Sequence, residues 1–235
     1  HTTGTAVTLM IRNLNTRSGD YAKTADLLRP GHADYTAYAK YEGFQDARGG
    51  GHFSGRLTAP LCAVGGLCLQ MLARRGVAVG ARLREVAGIP DAEVDDQALT
   101  AQSLAALSAG SLPVFDPAAG ERMRAAIEAA RAEGDSVGGV IEVYALGLPG
   151  GLGDPMFGGV ENRLSAALFG VPAVRGVSFG AGFAAARMRG SAHNDAWRVD
   201  GGRVISETNR HGGVLGGMTT GMPLVVTVGM KPIAT

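Results

Sequence analysis

Residues 137–169 read VGGVIEVYALGLPGGLGDPMFGGVENRLSAALF and carry the plainest fold signal in the chain. Their first part, 137–148, has the apolar and β-branched pattern of a strand, and a glycine-rich loop at 149–155 follows it. Apolar residues then recur at helical spacing over 160–169. A strand, a glycine loop and a helix in immediate succession indicate a fold that contains both element types.

The same periodicities continue on both sides of this segment. Further strands are predicted at 6–11, 77–86 and 224–230, and further helices at 96–107 and 117–133. Residues 173–188 alternate like a long strand or a hairpin, whereas the polar stretch 13–26 reads as a surface loop. We find no repeat and no linker, so the prediction is a single α+β domain spanning residues 1–235.

A long amphipathic helix is predicted from Ser54 to the vicinity of Gly76. Its apolar positions recur at three- and four-residue steps at Leu57, Leu61, Val64, Cys68, Met71 and Leu72. Pro60 falls in the first turns, where a missing amide matters least. Cys62 and Cys68 have neither redox nor metal-ligand spacing, so we expect ordinary burial in this helix.

Composition restricts the classes of partner. Of 235 residues, 46% are hydrophobic and 18% are charged, which is enough to bury a sizeable core. The 22 basic and 21 acidic side chains nearly cancel, which argues against nucleic acid or an acidic membrane as a partner. We expect a soluble, cytoplasmic protein, because no apolar run approaches ~18 residues and the start has no signal pattern. Since His1 has no methionine before it, we also expect a chain trimmed at both ends.

The glycines gather in four clusters, at 49–51, 150–153, 212–213 and 216–217. Glycine lets a backbone approach a ligand closely, so the clusters indicate loops that converge on a planar or phosphorylated molecule. The alternative for each cluster is a tight turn between strands.

Residues 29–36 read RPGHADYT and combine a guanidinium, an imidazole and a carboxylate. Arg29 offers a planar fork of donors suited to phosphate or carboxylate, and His32 can exchange a proton near neutral pH. The segment therefore predicts anion binding together with proton chemistry.

Residues 46–58, DARGGGHFSGRLT, follow closely and run from a glycine loop into a helix start. Ser54 can cap the helix or contact a ligand, and Arg56 adds a charge near amides that attract anions. The loop lacks the Lys-Ser/Thr pair of a nucleotide P-loop. A structural alternative is that Arg48 or Arg56 simply pairs with Asp46 or Asp34.

Four segments together resemble chorismate synthase. They are NLNTRSGDY at 13–21, RPGHADYT at 29–36, RGGG at 48–51 and GGVLGGMTTG at 212–221. The resemblance implies a layered β-α-β sandwich assembled into a homotetramer. It also implies an enzyme that uses reduced FMN to eliminate phosphate from 5-enolpyruvylshikimate 3-phosphate, giving chorismate, with NADPH as a candidate reductant of the flavin.

The same resemblance implies roles for individual residues. His32 would be the histidine beside the flavin, and Arg29, Arg48 and Arg56 would bind the anionic groups of the substrate. Flavin contacts would come from three groups of residues: His52, Phe53 and Ser54; Pro172, Ala173 and Gly216; and Lys231, Pro232, Ile233, Ala234 and Thr235.

The chain also departs from the family pattern. Many members have Arg-Ser-Ser-Ala-Arg-Glu-Thr where this chain has residues 52–58, and Lys-Pro-Thr-Ser-Ser where it has 231–235. The Gly-Glu-Ser-His-Gly segment near the family's amino terminus and the Gly-Arg-His-Asp-Pro segment near its carboxy terminus are missing. On this basis we expect the 235 residues alone to be catalytically incomplete.

Two other functions fit parts of the pattern. The glycine loops are compatible with a nucleotide-binding phosphotransferase, against which the missing Walker lysine counts. A non-catalytic assembly module of the same fold is the other alternative.

The remaining marked residues have plainer interpretations. His193 and His211 have no partners at metal-ligand spacing, so no metal site is predicted. His211 either lines the ligand pocket or makes a hydrogen bond within its loop, and Trp197 is interpreted as a packing or interface residue.

Overall fold

The computed structural model describes residues 3–14, 19, 27–46 and 48–234. These residues divide into two compact units. The first unit comprises the described part of His1–Met71 together with Ala234, and the second unit comprises Leu72–Ile233. Most of the polar loop predicted at 13–26, and Thr235, lie outside the described residues.

The described residues form both helices and strands. The helices are α1 (Asp34–Tyr41), α2 (Thr58–Ala73), α3 (Ala101–Ala109), α4 (Pro117–Ala132), α5 (Val160–Phe169) and α6 (Gly190–His193). The strands are β1 (Ala78–Val86), β2 (Ile89–Pro90), β3 (Gly139–Leu146), β4 (Val174–Phe179), β5 (Trp197–Asp200), β6 (Arg203–Ser206), β7 (Val214–Leu215), β8 (Met218–Thr219) and β9 (Leu224–Met230).

The second unit is built on a five-stranded antiparallel sheet in the order β2-β1-β3-β9-β4. Successive residues of β9 point to opposite faces, and both faces are covered. Leu224, Val226 and Val228 pack in a core with residues of α5, whereas Val225 packs with Tyr144 and with α3. The α+β class, with helices packed against an antiparallel sheet, is confirmed.

Most elements near the quoted segment 137–169 are confirmed. The strand predicted at 137–148 is β3, the helix predicted at 160–169 is α5, and the strand predicted at 224–230 is β9. The predictions at 77–86, 96–107 and 117–133 correspond to β1, to α3 with a preceding 3₁₀ turn at Asp96–Ala98, and to α4. Helix α4 begins at its predicted first residue, Pro117. The start is fixed because the Asp116 side chain accepts a hydrogen bond from Ala118 N and Pro117 occupies the first turn.

Two strand predictions are wrong. Residues 6–11 form no strand and are exposed. The strand or hairpin predicted over 173–188 ends at Phe179, and a 3₁₀ helix follows at Gly182–Arg187. Gly180 and Gly182 both have positive φ, of 53° and 51°, and this backbone turn ends the extended run that the alternation of small residues had indicated.

Helix α2 differs from its prediction in burial. No residue of α2 is buried, and Leu61, Val64 and Met71 on the face expected to be inward are 56%, 47% and 55% exposed. Cys62 and Cys68 are both exposed, so their predicted burial is wrong. The helix is apolar around its whole circumference rather than amphipathic, which is typical of a helix that other structure surrounds.

The helical stretch Gly55–Ala73 is long and apolar enough to span a membrane, with a mean hydropathy of 1.4. The expectation that no apolar run approaches this length was therefore wrong. Length and composition alone do not distinguish such a segment from the central helix of a globular protein, which has the same character.

A buried group of charged residues lies on the β1–β3 pair. Arg82 Nε and Nη2 donate to Glu142 Oε2 at 2.9 and 2.8 Å, and Arg82 Nη1 donates to Asp91 Oδ2 at 3.1 Å. The Tyr144 hydroxyl donates a short hydrogen bond to the same Glu142 oxygen. Asp91 also accepts from the amides of Phe115 and Asp116, so this group ties the sheet to the loop before α4.

Candidate active site

The segment 29–36 folds into a turn that leads into α1, and Asp34 is the first residue of that helix. The Asp34 carboxylate accepts hydrogen bonds from Arg29 Nε and Nη2, each at 2.8 Å, and from the Arg29 amide at 3.0 Å. His32 Nδ1 lies 2.7 Å from Asp34 Oδ1, the oxygen that also accepts from Arg29 Nη2. One carboxylate therefore holds both the guanidinium and the imidazole that the sequence singled out.

Asp34 is ionised in this arrangement. The Arg29 side-chain hydrogen bonds hold the pKa of Asp34 well below its usual range, and they outweigh the opposing effect of partial burial. Its position in the first turn of α1 is also favourable for a negative charge.

The glycine loop meets the histidine turn at Gly50. A Cβ atom at this position would lie 3.3 Å from His32 Nε2 and 3.7 Å from Ser54 Cβ. Gly50 has φ 80°, which a glycine adopts without strain. The two loops that the sequence predicted to act together are thus adjacent, and they approach closely at Gly50, where a side chain would crowd His32 and Ser54.

The rest of this loop is a series of short helical turns. Residues Arg48–Phe53 form a 3₁₀ helix, in which His52 and Phe53 have ring centroids 6.4 Å apart. Ser54 then caps the next 3₁₀ turn, since its hydroxyl accepts from Arg56 N at 3.4 Å. The capping role predicted for Ser54 is confirmed.

Two of the three arginines expected to bind substrate have acidic partners in the structure. Arg29 pairs with Asp34, and Arg48 pairs with Asp46 through Nε at 2.8 Å and Nη2 at 3.1 Å. Hydrogen bonds from Arg48 lower the pKa of Asp46 to about 2. The structural alternative of local ion pairs is therefore what the structure shows for Arg48.

The segments expected to contact flavin fall in both units. In the first unit, a Cβ atom at Gly31 would lie 3.7 Å from Ala234 Cβ, so Ala234 is adjacent to the histidine turn. In the second unit, the Lys231 amide donates to Ala173 O at 3.0 Å, and Ser136 Oγ donates to Ile233 O at 2.7 Å.

An open groove of about 550 Å³ lies at the end of the sheet in the second unit. Its walls are mostly small residues, with the charged side chains of Glu85, Arg175 and Lys231 among them. Lys231 belongs to the segment next to Ala173, and Pro172 and Ala173 form a half-buried turn. Pro232 is exposed, and Ile233 is 75% exposed.

Most glycines of the later clusters serve backbone packing. A Cβ atom at Gly217 or Gly153 would collide with carbonyl oxygens of Asp154 and Gly217 respectively, and one at Gly213 would collide with Pro223 O. At these three glycines the structure shows close contact between backbones. Gly151 and Gly216 differ, because among the described residues a Cβ atom at Gly151 would meet nothing within 4 Å and one at Gly216 only Met218 Cε, at 3.8 Å.

His211 makes hydrogen bonds within its loop, which is the plainer of its two interpretations. Its Nδ1 accepts from Gly213 N at 2.9 Å, and its Nε2 lies 3.4 Å from Ser206 Oγ and 3.6 Å from Asp195 Oδ2. Burial lowers the pKa of His211 although Asp195 opposes this. Serine and aspartate lie at the same ring nitrogen, so this is not the relay of a serine hydrolase, in which they lie at opposite nitrogens.

Sequence reasoning missed Asp195 as the centre of this loop, because its partners are distant in sequence. Asp195 accepts from the amides of Arg210 and His211, both at 2.9 Å. Trp197 is 50% exposed and stacks on His211 with ring centroids 6.1 Å apart, in agreement with a packing residue. Within residues 3–14, 19, 27–46 and 48–234, no group of three or more His, Cys, Asp or Glu side chains is placed to hold a metal.

Comparison with known proteins gives one consistent result. The family model for chorismate synthase matches residues 1–235. The chain is 48% identical to the chorismate synthase of Aeropyrum pernix over 98% of its own length, and 46% identical to that of Chitinophaga pinensis over 100%. It spans 60% of the length of each of these relatives.

A solved structure of the same family has a similar fold. The crystal structure of a chorismate synthase superposes with a TM-score of 0.74 at 31% identity, covering 85% of this chain and 62% of that one. The layered architecture that the sequence resemblance implied is supported by this likeness.

Proposed function

Because this chain belongs to the chorismate synthase family, we propose that the protein converts 5-enolpyruvylshikimate 3-phosphate to chorismate. The reaction is a 1,4-elimination of phosphate that requires reduced FMN and belongs to aromatic amino acid biosynthesis. The observation that carries this proposal is the arrangement of His32, with Asp34 at one ring nitrogen and the Gly50–Ser54 loop at the other.

The residues near His32 fit a flavin. Because Gly50 has no side chain, no Cβ atom at this position crowds His32 Nε2. Ala234 lies at the neighbouring Gly31, and the exposed His52 and the half-buried Ser54 offer polar atoms at the same loop. When bound, reduced flavin supplies electron density to the substrate as phosphate leaves.

We assign the flavin contacts to the segments predicted from the sequence. In the first unit these residues are His52, Phe53, Ser54 and Ala234, to which we add Thr235, the next residue in the chain. In the second unit they are Pro172, Ala173, Gly216, Lys231, Pro232 and Ile233. The hydrogen bond from the Lys231 amide to Ala173 O supports assigning residues 172–173 and 231–233 to the same site.

His32 holds or supplies a proton at Nε2, facing the glycine loop. Arg56 is the first candidate for binding the substrate's anionic groups, because Arg29 and Arg48 already pair with carboxylates. Arg48 is exposed and can exchange Asp46 for a substrate anion at little cost. Donors placed where negative charge grows on the leaving phosphate lower the barrier to its departure.

The family resemblance also supports a proposal for the assembly and location. We propose a homotetramer in the cytoplasm, with no nucleic acid or membrane partner and with NADPH as a candidate reductant. Sedimentation analysis tests the assembly, and a species other than a tetramer would remove that part of the proposal.

The decisive experiment measures phosphate and chorismate formation under anaerobic conditions. For the full-length protein, we expect turnover with photoreduced FMN and none with oxidised FMN. Turnover that is independent of the flavin's redox state would contradict the proposal. Flavin titration separates it from a non-catalytic assembly module, which would bind no flavin, and ATP competition with flavin would revive the phosphotransferase alternative.

A further inference from the structure

We infer that Asp34 is a positioning residue that fixes the proton of neutral His32 on Nδ1, so that Nε2 is the nitrogen available to the reaction. This inference rests on the proposed function for its catalytic meaning. It concerns a residue to which neither the family resemblance nor the motif assigned a role of its own.

The first step is the distance between His32 Nδ1 and Asp34 Oδ1, which is 2.7 Å. Two atoms that each carry only lone pairs would repel at this separation, so a proton lies between them. Asp34 is ionised, because Arg29 holds its pKa well below the usual range. The proton therefore belongs to the imidazole, at Nδ1.

The second step is the role of Arg29. Its guanidinium binds both carboxylate oxygens of Asp34, and its backbone amide adds a third hydrogen bond. A carboxylate with donors on both oxygens cannot rotate freely. Because His32 Nδ1 is hydrogen-bonded to this fixed carboxylate, the orientation of the His32 ring is fixed as well. Arg29 Nη2 also lies 3.1 Å from His32 Nδ1, but a protonated Nδ1 has no lone pair to accept from it, so Nη2 donates to Asp34 Oδ1 instead.

The third step is the position of Nε2. The ring is 19% exposed, and Nε2 faces the place that a Cβ atom at Gly50 would occupy, 3.3 Å away. In a neutral imidazole that carries its proton on Nδ1, Nε2 has the lone pair. It can therefore receive a proton and return it on the side of the ring that faces the glycine loop.

The test uses imidazole ¹⁵N spectra of the protein, in which the two tautomers of a histidine are distinguished by the shifts of their two nitrogens. Comparison with His32→Ala assigns the His32 signals. We expect the neutral ring to carry its proton on Nδ1, and Asp34→Ala to move the proton to Nε2. Asp46→Asn, which removes an Arg-paired carboxylate that does not contact His32, is expected to leave the signals unchanged.

A wild-type spectrum with the proton on Nε2 overturns the inference, whether or not Asp34→Ala folds. An unchanged tautomer in a folded Asp34→Ala variant overturns it as well. In kinetic terms, Asp34→Ala should lower kcat by about 10-fold to 10⁴-fold with little change in KM. The reason is that a proton on Nε2 removes the lone pair from the nitrogen that faces the glycine loop.

The two proposals fail separately. If the tautomer behaves as expected while His32→Ala retains full turnover, the positioning by Asp34 stands and the proposed role of His32 is lost. If turnover depends on His32 but the proton is on Nε2, the proposed function stands and the role of Asp34 is lost.

Discussion

Arg82 and Glu142 form a two-pronged ion pair across β1 and β3, with side chains only 4% and 8% exposed. They are directly opposite in the register of the two strands. Arg82 also pairs with Asp91, whose side chain is fully buried, so loss of Arg82 would leave a buried carboxylate without its cationic partner.

Arg82→Ala should therefore destabilise the protein by ~3–5 kcal/mol, as removal of one partner of a buried pair does. Urea unfolding followed by circular dichroism measures this. Arg198→Ala is the matched control, because its partner Asp200 is 62% exposed and surface pairs contribute ~0–1 kcal/mol. Equal losses in the two variants would contradict the account.

Gly80→Ala should destabilise the sheet by ~1–3 kcal/mol, since overpacking forces backbone shifts. A Cβ atom at Gly80 would lie 2.8 Å from Leu104 Cβ, where α3 crosses β1. Gly176→Ala in β4 is the control, because a Cβ atom there would meet no heavy atom within 4 Å among the described residues. Thermal melting of both variants distinguishes a packing effect from a general intolerance of the strands.

His32→Ala should reduce phosphate release by ~10²–10⁴-fold, the usual contribution of a positioned acid or base. The melting temperature should change little, since the ring is only half-buried and its loss leaves the Arg29–Asp34 pair in place. His193→Ala is the matched histidine control and should retain turnover. Turnover in His32→Ala equal to that of the control would remove His32 from the chemistry.

Gly50→Ala should lower turnover by more than the destabilisation from the strained backbone alone would cause. The φ of 80° costs an alanine ~1–2 kcal/mol, and the added methyl group would lie 3.3 Å from His32 Nε2. Gly43→Ala has a comparable φ of 84° but contacts the Tyr38 ring instead. We expect similar destabilisation in both variants and loss of turnover in Gly50→Ala alone.

Asp34 should make the protein's stability dependent on pH at the acid end. Its folded pKa is lowered by Arg29 from an ordinary value of 3.8, so its stabilising contribution is complete above that value and is lost as the pH falls towards the folded pKa. Asp34→Asn should thus be less stable than wild type near neutral pH, with a difference that shrinks from about pH 4 downwards. A difference in the free energy of unfolding that grows on acidification would contradict this sign.

The sequence predicted elements well where their signals are local. Helix α5 has its predicted bounds because its apolar spacing ends at Gly170, and α4 begins at the cap Asp116 and Pro117. Residues 173–188 were misjudged because alternation of small residues does not reveal the turn at Gly180, which depends on contact with the backbone at Arg210.

The candidate site shows the same division. His32 and the loop at 48–54 could be found from the sequence, because residue types and spacing carry the signal. The orientation of His32 could not, since it depends on which oxygen of Asp34 faces which nitrogen. The role of the glycine clusters was also hidden, because the colliding partner of Gly217 is the carbonyl of Asp154, far away in sequence.

The stacking of Trp197 on His211 gives the protein a built-in optical probe. Trp197 is the only tryptophan in the chain, and its indole lies over an imidazole that burial keeps neutral. Indole emission is quenched by a neighbouring protonated imidazole, so its intensity should stay level through neutral pH and change when the β5–β6 hairpin separates from the His211 loop. Fluorescence can therefore follow this one region during unfolding without any label.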